Sequence, residues 1–402
     1  ALIAAGVPAS AFPTAIPAAQ KVNFFIFRTD AQLNENNRLS GRFNYFKNIS
    51  PNNIAGGLNT LQRSIDFDDK SYSVGIQLAS IINANVLNEF RYQYAKRDSR
   101  NVGNDNSGTG PSIVITNVAN LGSPENLDTI APLQATNQIQ NNLTWTKGNH
   151  VMKFGGGFNF IDDTRRTNSF IRYTFSSIAN YSSAASGANP FAYTRFDQIF
   201  GDTNIAYDST FWNFFAQDDW RVTRRLKINY GVRYDLYRIP DADPNAAYEP
   251  SRDFKVDKNN FAPRVGLVYG LRDGARPTVI RASAGVYYDT VYLDMYQRAL
   301  QANGNPAFFT VSFTSPTATG APAFPNGVST ATPPRQDITA LASDFEVMYA
   351  MHANAQIEQA ITENLSFTIG YIHSSGRHLP VYRSINRIPD GKIGRASCRE
   401  RV

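Results

Sequence analysis

Residues 211–237 read FWNFFAQDDWRVTRRLKINYGVRYDLY, two alternating runs joined by a stretch too short to do more than reverse the chain. In the second run Leu226, Ile228, Tyr230, Val232, Tyr234 and Leu236 share one parity, and Lys227, Asn229, Gly231, Arg233 and Asp235 share the other. Strict alternation over that length specifies a strand with one apolar and one wet face. The first run sets Trp212, Phe214, Ala216, Trp220 and Val222 against Asn213, Gln217, Asp219 and Arg221, with Asp218 breaking its apolar row near the turn. The pair is a hairpin of strands about ten residues each, the length that crosses a bilayer at a tilt.

The same unit recurs. VNFFIFRTDAQL turns at NENN and returns as RLSGRFNYFK, and KSYSVGIQLAS turns near Ile81 and returns as NANVLNEFRYQYAKRD. NQIQNNLTWTK turns at Gly148-Asn149 into HVMKFGGGFNFIDD, NNFAPRVGLVYGL turns at RDGARP into TVIRASAGVYYD, and DFEVMYAMHANAQIEQA turns at ITEN into LSFTIGYIHSS. Asn, Asp and Gly stand where the backbone must turn. This makes about twelve strands. The connections between hairpins, roughly 48–65, 99–135, 167–209, 239–258 and 290–344, are long and rich in Gly, Pro, Asn, Ser and Thr. Short turns at one end and long loops at the other are the pattern of a transmembrane barrel. A soluble β-sandwich keeps its loops short at both ends.

Hydropathy agrees with this. Mean hydropathy is −0.35, and no stretch approaches the ~18 uninterrupted apolar residues of a membrane helix. Alternating strands average to that value and still span a membrane. Aromatic residues make up 12% of the chain and charged residues 18%; the net charge of +6 is scattered and gives no footprint for nucleic acid. The last ten residues, IGRASCRERV, resemble the translation of a sequencing adapter, whose frame requires Lys, Glu or Gln just before it, and Lys392 is there. Without that tail the net charge is +4 and the single cysteine, Cys398, is gone, so no disulfide or thiol chemistry is expected. Residues 1–21, apolar with three prolines, read as a loop entering the barrel, 22–390 as part of a barrel, and 391–402 as an artefactual tail. The chain is expected to be a piece of a longer one.

At QDDWRVTRRLKINYGVRYDLY a family resemblance becomes specific. This stretch, with NNFAPRVGLVYGL and TVIRASAGVYYD, KGNHVMKFGGGFNF and NENNRLSGRFNYF, resembles the barrel of TonB-dependent outer-membrane receptors, most of all the Oar-like receptors of acidobacterial type. The resemblance runs over nearly all of Val22–Asp390. It implies an all-β, antiparallel transmembrane barrel of about 22 strands with a plug, short periplasmic turns and long extracellular loops. It also implies the outer membrane of a Gram-negative bacterium, outer-membrane lipid around the wall, and a TonB complex engaged through an N-terminal segment not found here. These motifs mark strands and turns, so they imply a family and leave the ligand open.

In such a barrel Arg91, Gln93, Arg233, Asp235 and Arg281 are expected to face a wet lumen. Tyr181, Phe191, Tyr193, Phe308, Phe309 and Phe324, in the long loops, are candidates for ligand contact or for local loop packing. No catalytic or metal-binding residue and no cofactor is expected. His150, His352, His373 and His378 are solvated strand or turn positions, and neither Gly-x-Ser-x-Gly nor His-Glu-x-x-His occurs. Asp241, Asp243 and Asn245 echo a calcium loop, but Ala246 and Arg252 stand where Gly and Glu are needed. Gly155-Gly156-Gly157 lies in a strand pattern and leaves space on the wall.

The expected function is energised uptake of a bulky ligand, whether siderophore, glycan or peptide, with binding and no bond broken. A passive porin-like barrel uses the same strands and is separated from a receptor by upstream sequence. A secreted β-sandwich adhesin would be water-soluble with short loops, and an enzyme has no supporting motif.

Overall fold

The computed structural model describes residues 1–125, 127, 131–166, 169–201, 204–305, 308–328 and 338–383. Residues 391–402, read from the sequence as an artefactual tail, lie outside these residues. In chain order the elements are β1 (Lys21–Asn34), β2 (Asn37–Asn53), β3 (Ile65–Asn83), β4 (Val86–Gly103), β5 (Ser112–Ile115), β6 (Ala119–Gly122), β7 (Ala131–Lys147), β8 (His150–Arg166), β9 (Phe170–Phe175), α1 (Ile178–Ala185), β10 (Arg195–Phe200), β11 (Ile205–Arg221), β12 (Leu226–Arg238), β13 (Phe261–Arg272), β14 (Thr278–Tyr288), α2 (Leu293–Gln301), β15 (Phe309–Phe313), β16 (Tyr349–Thr362) and β17 (Leu365–Arg377).

Twelve of these strands form one antiparallel meander in the order β1-β2-β3-β4-β7-β8-β11-β12-β13-β14-β16-β17, with β1 and β17 as unpaired edges. The sheet is not closed on itself. Each expected hairpin is present. The second turns at Ala84-Asn85 and not near Ile81, because β3 continues to Asn83, whose Oδ1 accepts the Asn85 N–H at 2.9 Å. The meander strands are also longer than ten residues: 14 in β1, 17 to 19 in β2, β3, β4, β7, β8 and β11, and 11 to 14 in β12, β13, β14, β16 and β17. About 9–11 residues cross a bilayer, so the longer strands continue into water. There they are held by ion pairs such as Arg97–Asp69 at 2.8 Å and Arg165–Asp163 at 2.7 Å.

Register turns the alternation into two faces. One row reads Thr29, Gly41, Ile76, Tyr92, Ile139, Phe158, Trp212, Leu236 across eight strands. The row on the opposite face reads Asp30, Ser40, Gln77, Arg91, Gln140, Gly157, Asn213, Asp235. A slip of one residue would exchange these faces, so the pattern itself fixes the pairing. The Asp218 irregularity is met in part within the apolar face: Oδ2 accepts from the Tyr230 hydroxyl at 3.0 Å and lies 2.6 Å from His150 Nδ1, while the buried Oδ1 has no partner among the described residues.

The glycine run does not leave open space. A Cβ on Gly155 would lie 2.3 Å from Phe215 Cε1, and one on Gly157 would lie 2.4 Å from the Ile139 carbonyl oxygen. Neighbouring side chains already fill the hollow.

Three of the long connections, expected to be irregular, build a second sheet of five strands in the order β15-β10-β9-β5-β6. Most of its pairs are antiparallel, but β5 runs parallel to β9 although their paired positions are 60 residues apart.

Candidate site: a polar wall and a folded cap

The polar face carries the expected lumen residues. Arg233 grips Asp235 through Nε and Nη2 at 2.8–3.0 Å, and Asp235 is buried. Arg281 Nη1 reaches Glu358 at 2.6 Å across the β14–β16 pair. Arg91 lies 3.4 Å from Glu89, two residues away on the same face. Arg91 and Gln93 line a groove of about 410 Å³ with Arg28, Arg42, Gln77 and Gln138. A second groove of about 440 Å³ contains Arg233, Arg264, Asn229 and Tyr287, with the Arg264 guanidinium 4.2 Å from the Tyr287 ring centroid. Such a wall offers amide, hydroxyl and guanidinium groups to a polar solute, with Arg28, Arg91, Arg233 and Arg281 paired to carboxylates.

The five-stranded sheet forms a cap at the loop end. Its two faces follow from alternation, as in the wall. Ile113, Ile115, Tyr173, Phe175, Phe196 and Val311 make an apolar face. It is covered by α1, by Val7 and Ala11 of the first segment, and by Phe324 and Val328. Ser177 caps α1, its side chain accepting the Asn180 N–H at 3.2 Å. Burial pushes the Tyr173, Tyr181 and Tyr193 phenols above their ordinary values.

Here the candidate loop aromatics separate. Tyr181 and Tyr193 are buried in the cap core, and the Tyr193 hydroxyl donates to the Pro322 carbonyl at 2.8 Å. Phe324 meets Tyr173 and Phe175 edge-on, with centroids at 5.1 and 5.6 Å. Phe191 stands at the border of this core and is 42% exposed. Phe309 pairs with Phe200 through the backbone at the sheet edge, and Phe308 is half-buried beside it.

The other face of the cap carries a chain of alternating charges that sequence reading missed. Arg63 Nη2 donates to Glu125 at 3.0 Å, and Arg172 Nη1 donates to the other Glu125 oxygen at 2.8 Å. Arg172 Nη2 then reaches Asp197 at 2.9 Å, and Arg195 Nη2 reaches the same carboxylate at 2.6 Å. Ser112 donates to Glu125, and Ser312 donates to Asp197 at 2.7 Å. Burial alone would raise both carboxyls, but the Ser112 hydroxyl with the Arg63 and Arg172 charges holds Glu125 below its usual range. Hydrogen bonds from Arg195, Ser312 and Arg172 do the same for Asp197. One signal was readable: Arg195 and Asp197, like Arg233 and Asp235, stand two apart in a strand and so share a face.

Among the described residues no group of three or more His, Cys, Asp or Glu is arranged to hold a metal. The PDADPN loop is a turn in which Asp243 Oδ1 accepts the Asn245 N–H at 2.9 Å. His378 pairs with Glu346 at 3.1 Å, and His352 packs against Tyr287.

The family model of the outer membrane beta barrel domain matches residues 4–400. The chain belongs to this family. It is therefore an outer-membrane protein, and the β-sandwich alternative is set aside, since its main sheet is one continuous meander. No curated protein matches it. Among solved structures it is similar to the outer membrane transporter YddB from Escherichia coli, at 14% identity and TM-score 0.56, over 88% of this chain and 40% of that one. It is similar to the siderophore receptor PirA from Acinetobacter baumannii at 11% identity and TM-score 0.51, over 89% and 43%. The alcaligin receptor FauA from Bordetella pertussis matches at 10% identity and TM-score 0.50, over 92% and 46%. The chain thus spans less than half the length of these proteins, and what it shares with them is the fold of outer-membrane transporters and receptors.

Proposed function

We propose that the chain forms part of the wall and cap of a TonB-energised receptor that takes up a bulky ligand across the outer membrane. The observation that carries this reading is the division of labour along the strands. One end has tight turns, the middle has a polar and an apolar face, and the other end has loops folded into a sheet with its own core. A passive pore needs only the wall, whereas a cap with a rigid core suits recognition. The open edges at β1 and β17 support a wider barrel of about 22 strands, because unpaired backbone is not tolerated in lipid. In this reading the short turns face the periplasm, the loops face outward, and Arg91, Gln93, Arg233, Asp235 and Arg281 face the lumen. Of the loop aromatics whose burial is described, Phe191 is the most exposed and so the best placed to touch a ligand, while Tyr181, Tyr193 and Phe324 hold the cap in shape.

The test is uptake in the source bacterium with the gene deleted and restored. The expected result is loss of uptake of one bulky ligand, such as a ferric chelate or an oligosaccharide, and collapse of the restored uptake by a protonophore. Restored uptake of small solutes that a protonophore leaves unchanged would instead identify a passive barrel.

A further inference from the structure

The apolar face of β1–β4 ends, toward the loops, in a row of lysines. Lys47 and Lys70 are directly opposed across β2 and β3. Lys96 is paired with Tyr72 one step below, and Lys21 is paired with Ile49 one step above. All four share the face of Phe25, Phe43, Tyr45, Val74, Tyr72 and Tyr94. Like charges opposed across a strand pair are destabilising, and among the described residues none of the four lysines has a carboxylate within ion-pair reach. Asp98, directly opposite Lys70 on β4, is committed to Arg100 at 3.0 Å and Arg166 at 3.1 Å. Asp69, on the opposite face, is committed to Arg97. Asp68 and Asp162 lie at the margins, opposite Arg100 and Ala135.

The height of this row matters as much as its charge. From Leu39 to Lys47 the strand rises eight residues, about 27 Å along its own direction and roughly 21 Å in height at a tilt of about 40°, which brings Lys47 to the upper margin of the ~25 Å apolar band of an outer-membrane barrel. The tyrosines Tyr45, Tyr72 and Tyr94 lie at the top of that band, where aromatic girdles meet the headgroups. The lysines therefore stand at headgroup level, facing lipid, with a tyrosine shelf beneath them.

We propose that this cluster is a binding site for the phosphate groups of an anionic lipid headgroup in the outer leaflet. Two opposed ammonium groups flanked by two more supply the charge that a phosphate pair neutralises, and the tyrosine rings provide a surface for the first carbons of its acyl chains. The inference rests on the proposed orientation, with the loops outward.

The test uses the protein purified from its own outer membrane in mild detergent. Deep-rough lipopolysaccharide is the probe, its dephosphorylated form the lipid control and inorganic phosphate the free-ion control. Native mass spectrometry is expected to show the phosphorylated lipid retained, the dephosphorylated lipid lost, and inorganic phosphate neither retained nor competing. K47Q, K70Q and K96Q are each expected to lower retention about fivefold. K153Q, on the polar face, is expected to leave it unchanged. On the unmutated protein, raising sodium chloride from 50 to 500 mM is expected to strip the lipid, a readout that does not depend on variants folding. Equal retention of the dephosphorylated lipid, or no loss in salt and in the folded variants, overturns the site. Protease access to the cap in whole cells reports orientation separately: an accessible cap with no lipid retained rejects the lipid site alone, and a shielded cap rejects the orientation.

Discussion

Consider Glu125→Gln. Glu125 is the hinge of the cap's charge chain: it takes Arg63 on one oxygen and Arg172 on the other, and its side chain is 12% exposed. The substitution keeps the shape and removes the charge. Arg172 retains Asp197, but Arg63, 7% exposed at its side chain, is left with the Ser123 carbonyl and the Ser112 hydroxyl. Removing one partner of a buried ion pair costs about 3–5 kcal/mol, and the surviving contacts place this case near 3 kcal/mol. At 1.4 kcal/mol per tenfold, the cap should open about 100 times more often. Hydrogen exchange read by mass spectrometry on the membrane-extracted protein measures this directly. Peptides covering 108–125 and 170–175 should exchange about 100-fold faster, while peptides from β11 and β12 stay as they were. The pH dependence follows from the same carboxyl. Its folded pKa is depressed, so its contribution is fully present above the unfolded value of about 4.3 and is lost as pH falls through the folded value. The cap should hold from pH 7 to pH 5 and loosen below about pH 4, with part of the slope missing in the variant and the rest supplied by Asp197. Unchanged exchange in the cap peptides would mean that the charge chain does not hold the loops together. Equal acceleration in the wall strands would mean that cap and wall open as one unit.

Further predictions follow from the wall and from the cap core. Gly157→Ala places a Cβ 2.4 Å from the Ile139 carbonyl oxygen and should cost about 1–3 kcal/mol, seen as a lower urea midpoint in a refolding titration into lipid vesicles. Gly155→Ala meets two side chains instead, the Phe215 ring at 2.3 Å and Asn142 Oδ1 at 2.5 Å, so Phe215→Ala should rescue it in part while leaving Gly157→Ala unrescued. Phe214→Arg, on the apolar face, should cost about 2–4 kcal/mol in the same titration. Gln217→Arg, on the polar face with Asp219 two residues on, should be nearly neutral, and a reversed order of these two would refute the assignment of the faces. Tyr193→Phe removes the hydrogen bond to Pro322 and leaves a buried carbonyl without that donor, so it should speed exchange in the cap and spare the wall.

Most of the wall was legible because its information is local. Leu226 through Leu236 alternate with Lys227 through Asp235, the turns are short, and the partner of each strand is its neighbour in sequence, so periodicity and turn chemistry specify the sheet together. The length of the strands was less legible. Beyond the apolar band both faces are polar, and at Asp68, Asp69 and Lys70 the alternation that marked the strand disappears while the ladder of backbone hydrogen bonds continues. Asp218 looked like a defect because its partners, His150 and Tyr230, come from two other strands.

The cap was illegible for a reason of the same kind. The β5–β9 pair joins Ser112–Ile115 to Arg172–Phe175 in parallel, a pairing with no turn to announce it. Its strands are four to six residues long, too short for a periodic signal to rise above the loop composition around them. Read along the chain, Tyr181, Tyr193 and Phe324 are therefore aromatics in loops, and aromatics in loops suggest contact with a ligand. Assembled, they are the core that lets those loops keep one shape, with Phe191 left at the rim. The spacing Arg195-Phe-Asp197 carried the one local trace of this: a salt bridge between residues two apart requires an extended backbone, so the pair argues for a strand inside a segment otherwise read as loop. Arg28-Thr-Asp30, Asp98-Ser-Arg100 and Arg233-Tyr-Asp235 show the same contact in strands identified independently. An Arg and an Asp separated by one residue in a long barrel loop thus give a reason to look for a sheet there before assigning its aromatics to a ligand.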